Sequence, residues 1–147
     1  MHKALTAILF ILSTFSTAHA EGWYIANNKN PSVMSDDGQW YLFLGKTTTG
    51  DLNIYITTRR FNDCNSSGDS TGMYVNGVKV RFYQNCDKTM GIYWYPYTPE
   101  GKKHVIGEFM RKQKVEFRDQ DFVVTFSAVN FNSTTRDFIT EVMDPGL

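Results

Sequence analysis

Met73-Tyr74-Val75-Asn76-Gly77-Val78-Lys79-Val80-Arg81-Phe82 is the stretch that decides the fold class. Two alternating apolar runs flank an Asn-Gly pair. A two-residue hairpin turn needs positive φ at both central positions, and Asn followed by Gly tolerates this best. The stretch therefore predicts an antiparallel hairpin with Val78, Val80 and Phe82 facing inward.

Upstream, residues 62–70 are polar and rich in turn formers, which predicts a surface loop carrying Cys64. In residues 51–59, Leu52, Ile54 and Ile56 alternate with Asn53, Tyr55 and Thr57, the period of a strand with one face in a core. Trp40-Tyr41-Leu42-Phe43-Leu44 predicts a further strand, joined to it through Lys46-Thr47-Thr48-Thr49-Gly50. Downstream, residues 92–97 predict a strand closed by a Thr98-Pro99-Glu100-Gly101 turn. Residues 103–117 fit two descriptions. Val105, Ile106, Phe109 and Met110 have helical spacing, while Lys114-Val115-Glu116-Phe117 alternates; with Gly107 inside the stretch, two strands and a tight bend are expected. Residues 121–129 predict a strand with Phe122, Val124, Phe126 and Ala128 on one face. Ser133 or Thr134 is expected to cap a short C-terminal helix with Phe138, Ile139 and Val142 on its apolar stripe. The sum is a mainly β, single-domain antiparallel sandwich or small barrel of seven or eight strands with that one helix.

The N-terminus reads as a segment that does not belong to this domain. Met1-His2-Lys3, an apolar run from Ala4 to Phe15, and Ala18-His19-Ala20 have the three parts of a cleavable signal peptide. The run is too short for a spanning helix, and Thr6, Ser13 and Thr14 interrupt it. Residues 1–20 are expected to leave, with 21–147 forming one domain in the periplasm or outside the cell. Of the 15 Lys plus Arg, Lys3 goes with the signal, leaving 14 against 15 Asp plus Glu and a net charge of −1. That near-neutral balance gives no electrostatic case for binding phosphate backbones, so no nucleic acid is expected as a partner. Export places Cys64 and Cys86 in an oxidising compartment, where they are expected to form a disulfide. Closing a loop of about 23 residues is worth roughly 3 kcal/mol by the chain-entropy argument.

Chemistry is poorly represented. His104 is the only histidine left after residue 20, and it sits among lysines with no nucleophile motif nearby, so a solvent-facing role is expected. Asp36-Asp37 and the Asp119/Asp121 pair read as turns rather than as acid–base pairs. Asp63, Asn65 and Asp69 are too sparse for a calcium loop, and no glycine-rich phosphate motif occurs. No catalytic residue, metal or cofactor is assigned. Asn65-Ser66-Ser67 and Asn132-Ser133-Thr134 match the glycosylation acceptor pattern.

Two features point to binding. Adjacent aromatics recur at Trp23-Tyr24, Trp40-Tyr41, Phe82-Tyr83 and Tyr93-Trp94-Tyr95. With Ile92 and Trp94 inward, Tyr93, Tyr95 and Tyr97 share an outer face, either open for recognition or covered by another element. The cationic stretch Lys102, Lys103, His104, Arg111, Lys112 and Lys114 follows directly, as a site for an acidic partner or anionic lipid headgroups, or as a solvated face or edge-strand protection against aggregation. Thr71-Gly72-Met73-Tyr74 resembles the short Ser-Gly-x-Tyr-like loop of small periplasmic lysozyme inhibitors, which share the size, signal and β-rich character. The first position is substituted, and no functional residue is carried across. The expectation is a small exported soluble protein that binds another exported or envelope protein, as an inhibitor, immunity protein or secretion accessory does, through Tyr93, Tyr95, Tyr97, Lys102 and Lys103. A carbohydrate-binding module and a cofactor-free envelope enzyme are the alternatives.

Overall fold

A computed structural model describes residues 22–58, 67–70, 72–144 and 146. The expected signal segment and Cys64 lie outside these residues. Eleven strands and two helices follow in the order β1 (Tyr24–Ile25), β2 (Pro31–Met34), β3 (Trp40–Lys46), β4 (Leu52–Thr58), β5 (Gly68–Asp69), β6 (Met73–Val75), β7 (Val78–Val80), β8 (Phe82–Asp87), β9 (Gly91–Pro96), α1 (Pro99–Arg111), β10 (Lys114–Arg118), β11 (Val123–Ser127) and α2 (Phe131–Met143). They build two antiparallel sheets, one of seven strands ordered β1-β2-β3-β4-β9-β8-β5 and one of four ordered β11-β10-β6-β7. The expected sandwich is the architecture found; neither sheet closes into a barrel.

The hairpin at residues 73–82 forms with the expected turn, but of the three residues expected inward only Val80 and Phe82 are; Val78, beside the turn, is 49 % exposed. Val75 pairs with Val78 across Asn76 at φ 46° and Gly77 at φ 82°. Its second strand is more than a continuation, however. β7 ends at Val80 in the four-stranded sheet, and β8 begins at Phe82 in the seven-stranded sheet, so the chain changes sheets at Arg81. Val80 and Phe82 are both buried, each from its own sheet. This change, together with the short β1, β2 and β5, raises the strand count above seven or eight. Pro31-Ser32-Val33-Met34 is too short to show a period, yet Val33 is fully buried opposite Leu42.

Residues 99–111 are one helix, which corrects the expected turn, strand and bend. Thr98 caps it, accepting from the Gly101 N–H at 3.0 Å, Pro99 occupies the first helical position, and Glu100 meets the positive end of the helix dipole. Thr-Pro-Glu was a helix start rather than a turn. Gly101 is dictated by close approach, since a Cβ there would stand 2.8 Å from Thr98 Oγ1 and 3.0 Å from Val80 Cγ1. Gly107 weakens the helix by about 1 kcal/mol relative to alanine. Burial of Val105 and Phe109 outweighs that, since each fully buried side chain contributes about 1.5–3 kcal/mol. α2 starts earlier than Ser133 because Phe131, 1 % exposed, anchors its first turn in the core; Asn130, at φ 63°, precedes it without a side-chain cap.

One core lies between the sheets and the helices. Leu42, Leu44, Ile54 and Ile56 meet Val75, Val115, Phe117 and Phe126, with Val105, Phe109 and Phe131 added from α1 and α2. Trp23 makes edge contacts with Phe109 at 5.2 Å and Phe131 at 4.8 Å. At the far corner the Ser35–Phe126 bridge and the Asp36 N–H to Thr125 carbonyl bond tie β2 to β11.

Candidate functional site

Strand register puts an aromatic face on the outside of the seven-stranded sheet. Phe43 pairs with Tyr55, Tyr83 pairs with Tyr95, and the Tyr55 and Tyr95 rings meet at 5.6 Å. These four residues form a row across β3, β4, β9 and β8. The neighbouring row is Tyr41, Thr57, Tyr93 and Asn85, from the pairs Tyr41–Thr57, Thr57–Tyr93 and Asn85–Tyr93. Tyr97 extends the face past the end of β9, against Tyr83 at 6.4 Å and under the Arg81 guanidinium at 5.2 Å. Tyr41, Phe43, Tyr55, Tyr83, Tyr93, Tyr95 and Tyr97 are all half-buried. Both helices send their buried residues to the opposite side of this sheet. The rings cover one another instead.

The Tyr55 ring lies over Gly45, where any Cβ would come within 2.9 Å of it. Burial, then the neighbouring phenols, holds the Tyr55 and Tyr95 hydroxyls above the ordinary tyrosine range. For Tyr93 burial comes first and the Asp87 carboxylate second. These phenols stay neutral and keep their O–H groups as hydrogen-bond donors. The two rows contain no charged side chain. Charge stands at the margins, with Arg81 at one end of β8 and Asp87 at the other. The Asp87 carboxylate is held by its own turn, accepting from the Thr89 N–H at 2.6 Å and the Met90 N–H at 3.2 Å, and these bonds keep it below the usual range.

The structure thus brings Tyr93, Tyr95 and Tyr97 together on one outer face and adds Tyr41, Phe43, Tyr55 and Tyr83. The outward parity of Tyr55 was visible in its strand, but which strands lie beside which was not. Lys102 and Lys103 lie on α1 rather than on this face, and they enter no ion pair among the described residues. The rest of the cationic stretch is divided. Arg111 faces Glu108 at 3.5 Å, and Lys114 on β10 meets Asp36 at 3.1 Å.

His104 is not solvent-facing as expected. Its Nε2 bonds the Val75 carbonyl at 2.9 Å and its Nδ1 lies 3.8 Å from Glu108, so it serves to attach α1 to the β6–β7 hairpin. Glu108 is 8 % exposed, and it accepts from Asn76 Nδ2 at 3.0 Å. That bond first, with His104, Lys112 and Arg111 adding to it, holds its carboxyl below the usual range. The acidic pairs serve turns. Asp37 accepts from Ser35 Oγ and the Gln39 N–H, and Asp119 from the Gln120 N–H. Among the described residues no group of three His, Cys, Asp or Glu side chains could hold a metal, and no helix is long and apolar enough to cross a membrane. A shallow cleft of about 450 Å³ between β1 and α2 is lined by Tyr24, Ile25, Lys29, Asp137, Phe138 and Glu141, among others. Cys86 lies on β8, opposite Ile92.

No family model matches the chain, and neither does any curated protein or solved structure.

Proposed function

We propose that this chain is a small exported binding protein that engages another protein of the envelope or exterior through the aromatic face of its seven-stranded sheet. The observation that carries the reading is the half-buried array Tyr41, Phe43, Tyr55, Tyr83, Tyr93, Tyr95 and Tyr97 on the side of the sheet away from the helices. Contiguous aromatic surface of this kind marks interaction sites on soluble proteins, and tyrosine combines large contact area with little side-chain entropy to lose. Neutral hydroxyls supply donors, while Arg81 and Asp87 supply a polar rim. The signal-like residues 1–20 support export, and the Cys64–Cys86 disulfide belongs to the same reading; it would clamp β8 from the inner side.

Ring orientation favours a protein partner over a sugar platform. Tyr93 and Tyr95 stand 6.0 Å apart at 27°, and Phe43 and Tyr55 stand 5.2 Å apart at 20°. Rings stacked on one another cover the faces that a pyranose needs. An enzyme reading has less support, because His104 and the acidic pairs are engaged in structure.

Affinity capture with residues 21–147, beside the Tyr93→Ala/Tyr95→Ala/Tyr97→Ala variant, tests the proposal. One stoichiometric protein retained by the wild type and lost by a folded variant is the expected result. Capture that the variant leaves intact would sink the assignment of the face. Selective binding on a glycan array would replace the protein partner with a sugar.

A further inference from the structure

Asn-Gly is the dipeptide most open to spontaneous deamidation, because glycine leaves the following backbone nitrogen unhindered. In that reaction the Gly77 nitrogen loses its proton to solvent base and attacks Asn76 Cγ. A C–N bond forms, the side-chain nitrogen leaves as ammonia after taking a proton from water, and a five-membered imide remains. Water then opens the imide at either carbonyl, giving aspartate or isoaspartate. Nothing crowds Gly77: a Cβ there would have no neighbour within 4 Å. Solvent reaches the turn.

The Asn76 side chain is held away from this chemistry at both ends. Its Nδ2 donates to Glu108 Oε2 at 3.0 Å and to the Lys114 carbonyl at 3.4 Å, and its Oδ1 accepts from the Glu116 N–H at 2.9 Å. Its own N–H donates to the Glu116 carbonyl at 2.9 Å. The carboxamide is therefore directed at α1 and β10, and its backbone is fixed at φ 46° by the two-residue turn. To reach the Gly77 nitrogen, Cγ must give up these bonds, which means opening the hairpin.

We infer that Asn76 is a masked deamidation site, protected while the β6–β7 hairpin is docked on Glu108 and β10 and converted when the hairpin opens, after which it cannot dock again. An aspartate at 76 sets a carboxylate where Glu108 Oε2 now accepts a hydrogen bond. An isoaspartate adds a backbone atom to a two-residue turn, which shifts the Val75–Val78 and Met73–Val80 pairs that place Val75 and Val80 in the core. The conversion runs one way because both products remove what held the hairpin closed.

Peptide mapping of the 76–77 bond after incubation in mildly alkaline buffer tests this on the mature protein. The folded chain should convert at least about tenfold more slowly than the same chain in denaturant, since the reactive form is reached only through local opening. The Glu108→Ala variant, checked for folding by circular dichroism, should convert faster than wild type. Equal rates in the folded and denatured wild type would overturn the protection, whatever Glu108→Ala does. The Asn76→Asp variant should melt below wild type, and an unchanged melting temperature would overturn the one-way step.

Discussion

On the outside of the four-stranded sheet, Lys114 meets Asp36 at 3.1 Å, Arg118 meets Glu116 at 3.0 Å, and Thr125 and Ser127 lie beside them, with Val123 and Tyr74 exposed at the Arg118 end. On the outside of the seven-stranded sheet the same kind of position holds Phe43, Tyr55, Tyr83, Tyr93 and Tyr95. The inner faces of the two sheets are alike in being apolar, mostly Val, Ile, Leu and Phe, with Trp40 and Trp94 on one and Met73 on the other. One chain thus builds a water-facing sheet and an aromatic-facing sheet over a common core. The first carries a single ring, Tyr74 opposite Arg118, so folding does not require a contiguous array of rings on an outer face. The second is the feature on which the proposed partner contact rests.

The largest perturbation should erase the contrast altogether. Phe117 touches Phe82, Phe109 and Phe126, joining both sheets to α1, so Phe117→Ala should cost about 3–5 kcal/mol and be visible in denaturant melts. Reduction of the proposed disulfide should cost roughly 3 kcal/mol. Two alkylatable thiols in the oxidised, non-reduced protein would remove that clamp from the aromatic sheet. At the face itself, Tyr95 contacts Tyr55, Tyr83 and Tyr93, and Tyr95→Ala should weaken the captured partner's affinity by about 2 kcal/mol, some thirtyfold, in a titration. Lys114→Ala should leave that affinity unchanged. Glu108, whose folded-state carboxyl lies below its ordinary value of 4.5, adds stability that is present above that value and lost as pH falls through and beneath it. Glu108→Gln should therefore flatten the acid side of the melting-temperature profile and leave its alkaline side alone. The smallest effect belongs to the water-facing sheet, where Arg118→Ala should shift stability by less than about 1 kcal/mol because the pair is exposed.

Much of this was legible in single strands. Asn76-Gly77 announced its turn, the 51–59 alternation gave β4 both its faces, and Tyr93, Tyr95 and Tyr97 fell on one side as their spacing required. What stayed hidden was relational. Nothing local says that β4 lies beside β9, so Tyr55 could not be added to the tyrosine row before the fold was known. The change of sheet at Arg81 is invisible to a period-two pattern, since Val80 and Phe82 alternate normally on either side of it. At residues 98–111 the local signals were present but misweighted. Gly107 argued against a helix, while the Thr98 cap, Pro99 at the first position and the Val105/Phe109 spacing decided in its favour.

The seven-stranded sheet ends in β1 and β5, each two residues long, and the four-stranded sheet ends on one side in the three-residue β7. On its other side β11 is met by the Ser35 bridge and the Asp36 N–H. Among the described residues, sheet ends this short give another chain little ladder to extend. Short ends of this kind disfavour strand addition, so the partner proposed for the tyrosine face would meet its side chains rather than extend a backbone ladder.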